Sequence, residues 1–176
     1  MAILAAVAAS AQRIEFQRQK FDRSRFVHPA SPAAAPSAAP KTSPGKWLED
    51  FDEAVAAATA ANLPLFLNFT GSDWCPWCKF ADDRVFSRKE WKHYAASRLV
   101  LVVVDFPRKQ PLPKKQSEAN QALAQRFGVG GFPTFLILSP DGRTVLGRLG
   151  ISRDANFDQF PAQVDRILAA AAPASP

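Results

Sequence analysis

The run "RLVLVVVDF", Arg98 to Phe106, restricts the fold more than any other segment of the chain. It is a strongly β-branched block, of the kind found in strands buried on both faces. "LPLFLNFT", Leu63 to Thr70, is a second compact apolar run of strand length. Between the two, Pro76 to Phe86 reads as a helix, and Lys89 to Ser97 as its continuation or a second piece. A strand, a helix and a second strand in that order imply a parallel pair at the centre of a sheet.

The flanking segments extend the alternation. Trp47 to Ala61 is Ala-rich, with Trp47, Phe51 and Val55 at helical spacing. Glu118 to Phe127 is helical and meets Gly128, a residue suited to the end of a helix. "TFLILS", Thr134 to Ser139, and "RTVLGRLG", Arg143 to Gly150, flank Pro140-Asp141-Gly142, and Asp-Gly between such runs signals a hairpin. Asn156 to Ala171 is an amphipathic closing helix carrying Phe157, Phe160, Val164, Ile167 and Leu168. "PRKQPLPKKQ", Pro107 to Gln116, reads as a solvated basic loop. The order is helix, strand, helix, strand, helix, strand, strand, helix. This is an α/β chain with a parallel part of the sheet and an antiparallel edge.

Residues 1–11 hold an apolar run that ends in Ala9-Ser10-Ala11, which fits a small-residue cleavage site. We read them as the remnant of a secretory signal peptide. That reading puts the mature protein in the periplasm or another exported compartment, and in the cytoplasm if the segment is not a signal. Residues 12–45 form a basic tail and a Pro/Ala-rich linker whose composition builds no core. The folded domain is expected over 46–172. No stretch approaches the roughly 20 apolar residues that span a bilayer, so no transmembrane segment is expected. The formal charge is +6, but the cations are interspersed with carboxylates and no nucleic-acid motif accompanies them. A solvated basic surface with no nucleic-acid partner is the reading this supports.

"GSDWCPWCK", residues 71 to 79, holds the only two cysteines of the chain. Nearly half of the 176 residues are apolar, so the domain has core enough without staples. A bridge between positions 75 and 78 closes a tiny loop and stabilises little by chain entropy. A structural zinc site wants four ligands, and the chain offers only His28, in the tail, and His93, in a helix. No metal and no bound cofactor are expected. Redox chemistry remains. The pair stands where an apolar strand ends and a helix begins. If Cys75 caps the helix, Pro76 takes the first helical position, where its missing N–H and preset φ are favourable. Cys78 is then one turn on, its Cα about 5 Å away and within disulfide range. The free N–H groups and dipole of the helix start favour thiolate at Cys75. Cys78, further in and more buried, is expected to be the resolving thiol.

Trp74-Cys75-Pro76-Trp77-Cys78 between an apolar strand and a helix resembles the active site of the thioredoxin-fold family. "GFPT", Gly131 to Thr134, precedes a strand as that family's cis-proline loop does. The combination is similar to exported bacterial thioredoxin-like disulfide reductases, over roughly Trp47 to Ala171. The resemblance implies a thioredoxin-like three-layer fold, a central mixed β-sheet flanked by helices. It also implies Cys75 as nucleophile, Cys78 as resolving thiol and Pro133 cis beside them. Trp77, exposed between the cysteines, is expected to touch substrate. Trp74 anchors the loop or meets partners, and Phe132 shapes the substrate groove or belongs to the core. Two features depart from the family. Asn68 stands where thioredoxins carry a buried Asp, and an amide cannot accept the resolving thiol's proton. Asp73, water or a substrate group would then take it. Asn68 itself is expected to be hydrogen-bonded to backbone. The interval from Cys78 to Pro133 is also longer than in a minimal thioredoxin.

The function expected is thiol–disulfide oxidoreduction on protein disulfides. A monomer would exchange disulfides with protein substrates and draw on an upstream thiol electron donor. The rival is a non-enzymatic thioredoxin-fold binding module with a redox-gated or vestigial cysteine pair. Direction, reducing or oxidising, is not written in Pro76-Trp77. The N-terminal reading has its own check. Mass spectrometry of protein from its native host should find the chain starting at Gln12, and an intact Met1 in a cytoplasmic fraction would refute it.

Overall fold

The structure, a computed structural model, describes residues 45–153 and 159–171. The readings placed on the tail and linker before Gly45, and on Asn156 and Phe157, fall outside these residues. Five strands form one sheet: β1 (Trp47–Leu48), β2 (Leu65–Thr70), β3 (Val100–Asp105), β4 (Thr134–Leu138) and β5 (Val145–Leu149), in the order β1-β3-β2-β4-β5. Five helices accompany them: α1 (Phe51–Ala61), α2 (Pro76–Ala81), α3 (Lys89–Ala96), α4 (Lys114–Arg126) and α5 (Gln159–Ala171).

The apolar run at Arg98–Phe106 lies next to β2, parallel to it and in register from Leu65 opposite Val100 to Thr70 opposite Asp105. The antiparallel part is wider than a hairpin. β4 itself runs antiparallel to β2, with Asn68 opposite Phe135, and β5 pairs antiparallel with β4. The connection through α4 therefore reverses direction, and the β2–α2–β3 unit supplies the parallel crossover.

Alternation along β2 divides the core. Phe66 enters a cluster with Phe86, Trp91, Phe135 and Phe160 on the face covered by α2, α3 and α5. Leu65, Leu67 and Phe69 enter a second cluster with Val102, Val104, Leu136 and Leu138 on the face covered by α1 and α4. These two faces and the sheet make the three layers. Phe66 is fully buried, and its ring centroid lies 5.3 to 6.0 Å from those of Trp47, Phe86, Trp91, Phe135 and Phe160. Most of these contacts are edge-to-face, the arrangement the ring quadrupole favours.

Three local features differ from the sequence expectation. Trp47 and Leu48 are not helical. They pair with Leu101 and Val102 as an edge strand, and the helix starts only at Phe51. Asp50 sets that start, because its side chain accepts the Glu53 N–H at 2.9 Å. α4 begins at Lys114, so Lys114, Lys115 and Gln116 form its first turn instead of the end of a loop. Gln116 donates to the Glu49 carbonyl and to Asn120 from there. Third, α2 widens into a π-helical turn, Asp82–Phe86, before α3. The extra residue per turn carries Val85 and Phe86 into the core and leaves Asp82 and Asp83 exposed. Gly128, just past α4, has φ +61°, as its place after the helix predicts. Among the described residues no helix is long and apolar enough to cross a membrane.

Phe66→Ala should cost about 3–5 kcal/mol in urea unfolding, because it opens a cavity among five rings. Val145→Ala, on an exposed edge, should change stability by less than about 0.5 kcal/mol.

Candidate active site

β2 delivers the chain to Gly71, and a tight turn hands it to α2. The Gly71 carbonyl accepts from the N–H groups of Trp74 (3.2 Å) and Cys75 (2.8 Å). Cys75 is the N-cap of α2 in extended backbone, and Pro76 occupies the first helical position. The Cys78 N–H donates to Cys75 Sγ at 3.2 Å, so the nearest orphan donor of the helix points at that sulfur. The Gly71 N–H points at Cys78 Sγ from 3.4 Å. Cys75 and Cys78 are joined as a disulfide, with Cα atoms 5.2 Å apart.

Burial does not separate the two sulfurs. Cys75 is 4% exposed and Cys78 5%, contrary to the expectation that Cys78 is the deeper one. The cover comes from a distant segment: Cys75 Sγ lies 3.7 Å from the Phe132 carbonyl oxygen. The Phe132–Pro133 peptide bond is cis. What distinguishes the cysteines is the helix start, which serves Cys75 alone.

Trp74 is a loop anchor. Its Nε1–H donates to the Phe106 carbonyl at 2.8 Å, and its ring meets Phe132 edge-on at 6.0 Å. The Arg108 guanidinium sits 3.6 Å from its ring centroid. Its indole also lies across Gly71, where a Cβ would come within 2.5 Å of Trp74 Cε2. Phe132 stacks on Phe106 at 4.8 Å and packs against the aliphatic core. Trp77, by contrast, is 40% exposed.

The sequence reading missed the fastening between this turn and the segment after β3. Asp105 accepts from the Ser72 N–H at 3.0 Å and from the Ser72 hydroxyl. Asp73 accepts the backbone N–H of Arg108 (3.0 Å) and of Lys109 (2.6 Å). The hydrogen bond from Arg108 is the main cause that holds the Asp73 carboxyl below the ordinary Asp value of 3.8, against some desolvation and with help from Lys109. The only sequence signal was the Asp-Phe-Pro end of β3, which marks a turn but not its partner.

Asn68 faces the α2 side of the sheet, with Phe66 and Thr70 on the same pleat. Its Oδ1 is buried with no hydrogen-bond partner, which corrects the expectation of a backbone bond. It lines a cavity of about 450 Å³ with Cys78, Thr70, Val103, Asp82 and Asp83. Among the described residues no three His, Cys, Asp or Glu side chains gather as a metal site.

Residues 51–164 match the family model described as a thioredoxin-like domain. The chain is 38% identical over 102 residues to the disulfide bond reductase DsbH of Chlamydia pneumoniae, covering 58% of this chain and 61% of that protein. The match thus spans about three fifths of that relative's length. A solved structure of a DsbH oxidoreductase superposes with a TM-score of 0.66 at 33% identity, over 70% of this chain and 84% of that one. The solution structure of a thioredoxin from Thermus thermophilus gives 0.54 at 26%, over 72% and 88%.

The Asp73 carboxylate should make the fold acid-sensitive in a defined way. A lowered native pKa contributes stability above the unfolded value, and that stability is lost as pH falls through the native value. Wild type should therefore exceed Asp73→Asn in stability at pH 6, and the gap should close below the ordinary Asp range. A gap that persists unchanged at pH 2.5 would show that the carboxylate charge is irrelevant.

Proposed function

The chain belongs to the thioredoxin-like family, and from that premise we propose that it is a thiol–disulfide oxidoreductase acting on protein disulfides. The observation that carries the reading is the seat of Cys75 at the cap of α2, with the Cys78 N–H 3.2 Å from its sulfur. That donor and the helix dipole favour the Cys75 thiolate, the attacking form in exchange. Cys75 thiolate attacks one sulfur of a substrate disulfide. The substrate S–S bond breaks, a mixed disulfide forms, and one substrate thiolate leaves and takes a proton from water. Cys78 then loses its proton and attacks Cys75 Sγ. The second substrate thiol leaves, two electrons have passed to the substrate, and the protein holds the Cys75–Cys78 disulfide. A separate thiol protein returns it to the dithiol. In the reverse sense the same steps oxidise. Similarity to a protein named a disulfide bond reductase favours the reducing sense.

Asn68 cannot take the Cys78 proton as a carboxylate would. The cavity beside Cys78 has room for several waters, since one water occupies about 30 Å³ in the liquid. The proton leaves through it to solvent. Pro133 and Phe132 close the other side of Cys75, where the Phe132 carbonyl can receive an extended substrate backbone. Trp74 holds the turn that presents the pair, and Trp77 offers its exposed ring to the substrate. We assign the working domain to residues 46–172, acting as a monomer in an exported compartment.

Insulin reduction with dithiothreitol as electron source tests the activity, and loss of either cysteine should abolish it. Cys78→Ser should accumulate mixed disulfides with substrate proteins while Cys75→Ser does not. Equal trapping by both would reverse or remove the assignment. A measured potential near about −270 mV would fit a reductant, and one near about −120 mV an oxidant.

A further inference from the structure

On the face of α2 away from the Asn68 cavity, Pro76, Trp77 and Phe80 line an open groove of about 310 Å³ with Arg153. Trp77 is one of two large apolar side chains this exposed among the described residues. It meets Phe80 edge-to-face at 5.6 Å. A cation accompanies each ring. The Arg153 guanidinium lies 6.0 Å from the Trp77 centroid, and that of Arg84 lies 5.5 Å from the Phe80 centroid. Neither arginine makes an ion pair among the described residues. The nearest acidic pair in sequence, Asp82 and Asp83, lines the opposite cavity.

A guanidinium that lies over a ring still offers the edge of its planar fork of N–H donors. Two such forks beside an exposed aromatic pair suit a chain that presents a carboxylate next to an apolar side chain. Pro76 places this groove one residue from Cys75. We propose that the groove selects protein disulfides whose half-cystine is flanked by Asp or Glu, Arg84 and Arg153 receiving the carboxylate while Trp77 and Phe80 take the neighbouring apolar side chain. This inference rests on the oxidoreductase reading and names the substrate class of that site.

The test uses the pre-reduced full chain and two peptides that differ only in the residues beside one cysteine, Glu in one and Lys in the other. The cysteine is carried as a mixed disulfide with neutral 2-thiopyridine. Attack by the Cys75 thiolate on the peptide sulfur expels pyridine-2-thione, whose absorbance gives the rate. The Glu-to-Lys rate ratio is compared between wild type, Arg84→Gln/Arg153→Gln and Arg84→Glu/Arg153→Glu, so the intrinsic reactivities of the peptides cancel. Exposed ion pairs are weak, and two of them reversed should lower the ratio about tenfold, with the Gln protein falling about threefold. The difference should fade near about 0.5 M salt. A ratio that is the same in all three proteins overturns the proposal while leaving the oxidoreductase reading standing. So does a dimer, abolished by Trp77→Ala, that covers the groove with a second copy. A wild-type protein that reacts with neither peptide removes both readings together.

Discussion

Gly71 makes the corner on which the cysteine pair depends. Its carbonyl takes the N–H groups of Trp74 and Cys75, and its own N–H reaches Cys78 Sγ. β2 is held on both sides by hydrogen-bonded strands, so the corner leaves a rigid platform. The helix that follows has no freedom to start elsewhere. Its first free donor falls on Cys75, and its second cysteine falls back toward the sheet. A side chain at Gly71 would push on Trp74, so the corner and the anchor exclude any bulk between them.

The rest of the site extends this corner outward. Ser72, Asp73 and Trp74 each bind the segment just after β3, by Asp105, by the Arg108 and Lys109 amides, and by the Phe106 carbonyl. Phe106 in turn stacks on Phe132, whose carbonyl faces Cys75. Three chain segments that are remote in sequence thus close a ring around one disulfide. Each contact is modest, since most are hydrogen bonds worth about 1 kcal/mol net. Their shared geometry is what fixes the sulfurs in place.

Much of this was legible in the sequence where a signal is local. The β-branched block at Arg98–Phe106 announced a buried strand, and Pro76 after Cys75 announced a helix start. The resemblance carried by Trp74–Cys78 and Gly131–Thr134 supplied the three layers. What escaped depends on partners far along the chain. Trp47 looks helical by spacing, and only Leu101 across the sheet edge makes it a strand. The start of α4 at Lys114 lacks a capping side chain, so nothing before it marks the boundary. Cys75 is as buried as Cys78 because Phe132, 57 residues away, lies over it. Asp73 binds amides 35 and 36 positions later, and no pattern in one sequence pairs them.

The wide turn at Asp82–Phe86 sets the insertion and deletion tolerance of the helix that begins at the cysteines. A π turn is an α-helix that has absorbed one added residue without shifting what lies on either side. Removing one residue there would restore ordinary winding and rotate everything beyond it by about 100° relative to α2. Phe86 would swing out of the ring cluster under Phe66. Chain length between Cys78 and Trp91 is therefore inherited as a fixed count, and drift in this helix must proceed by substitution.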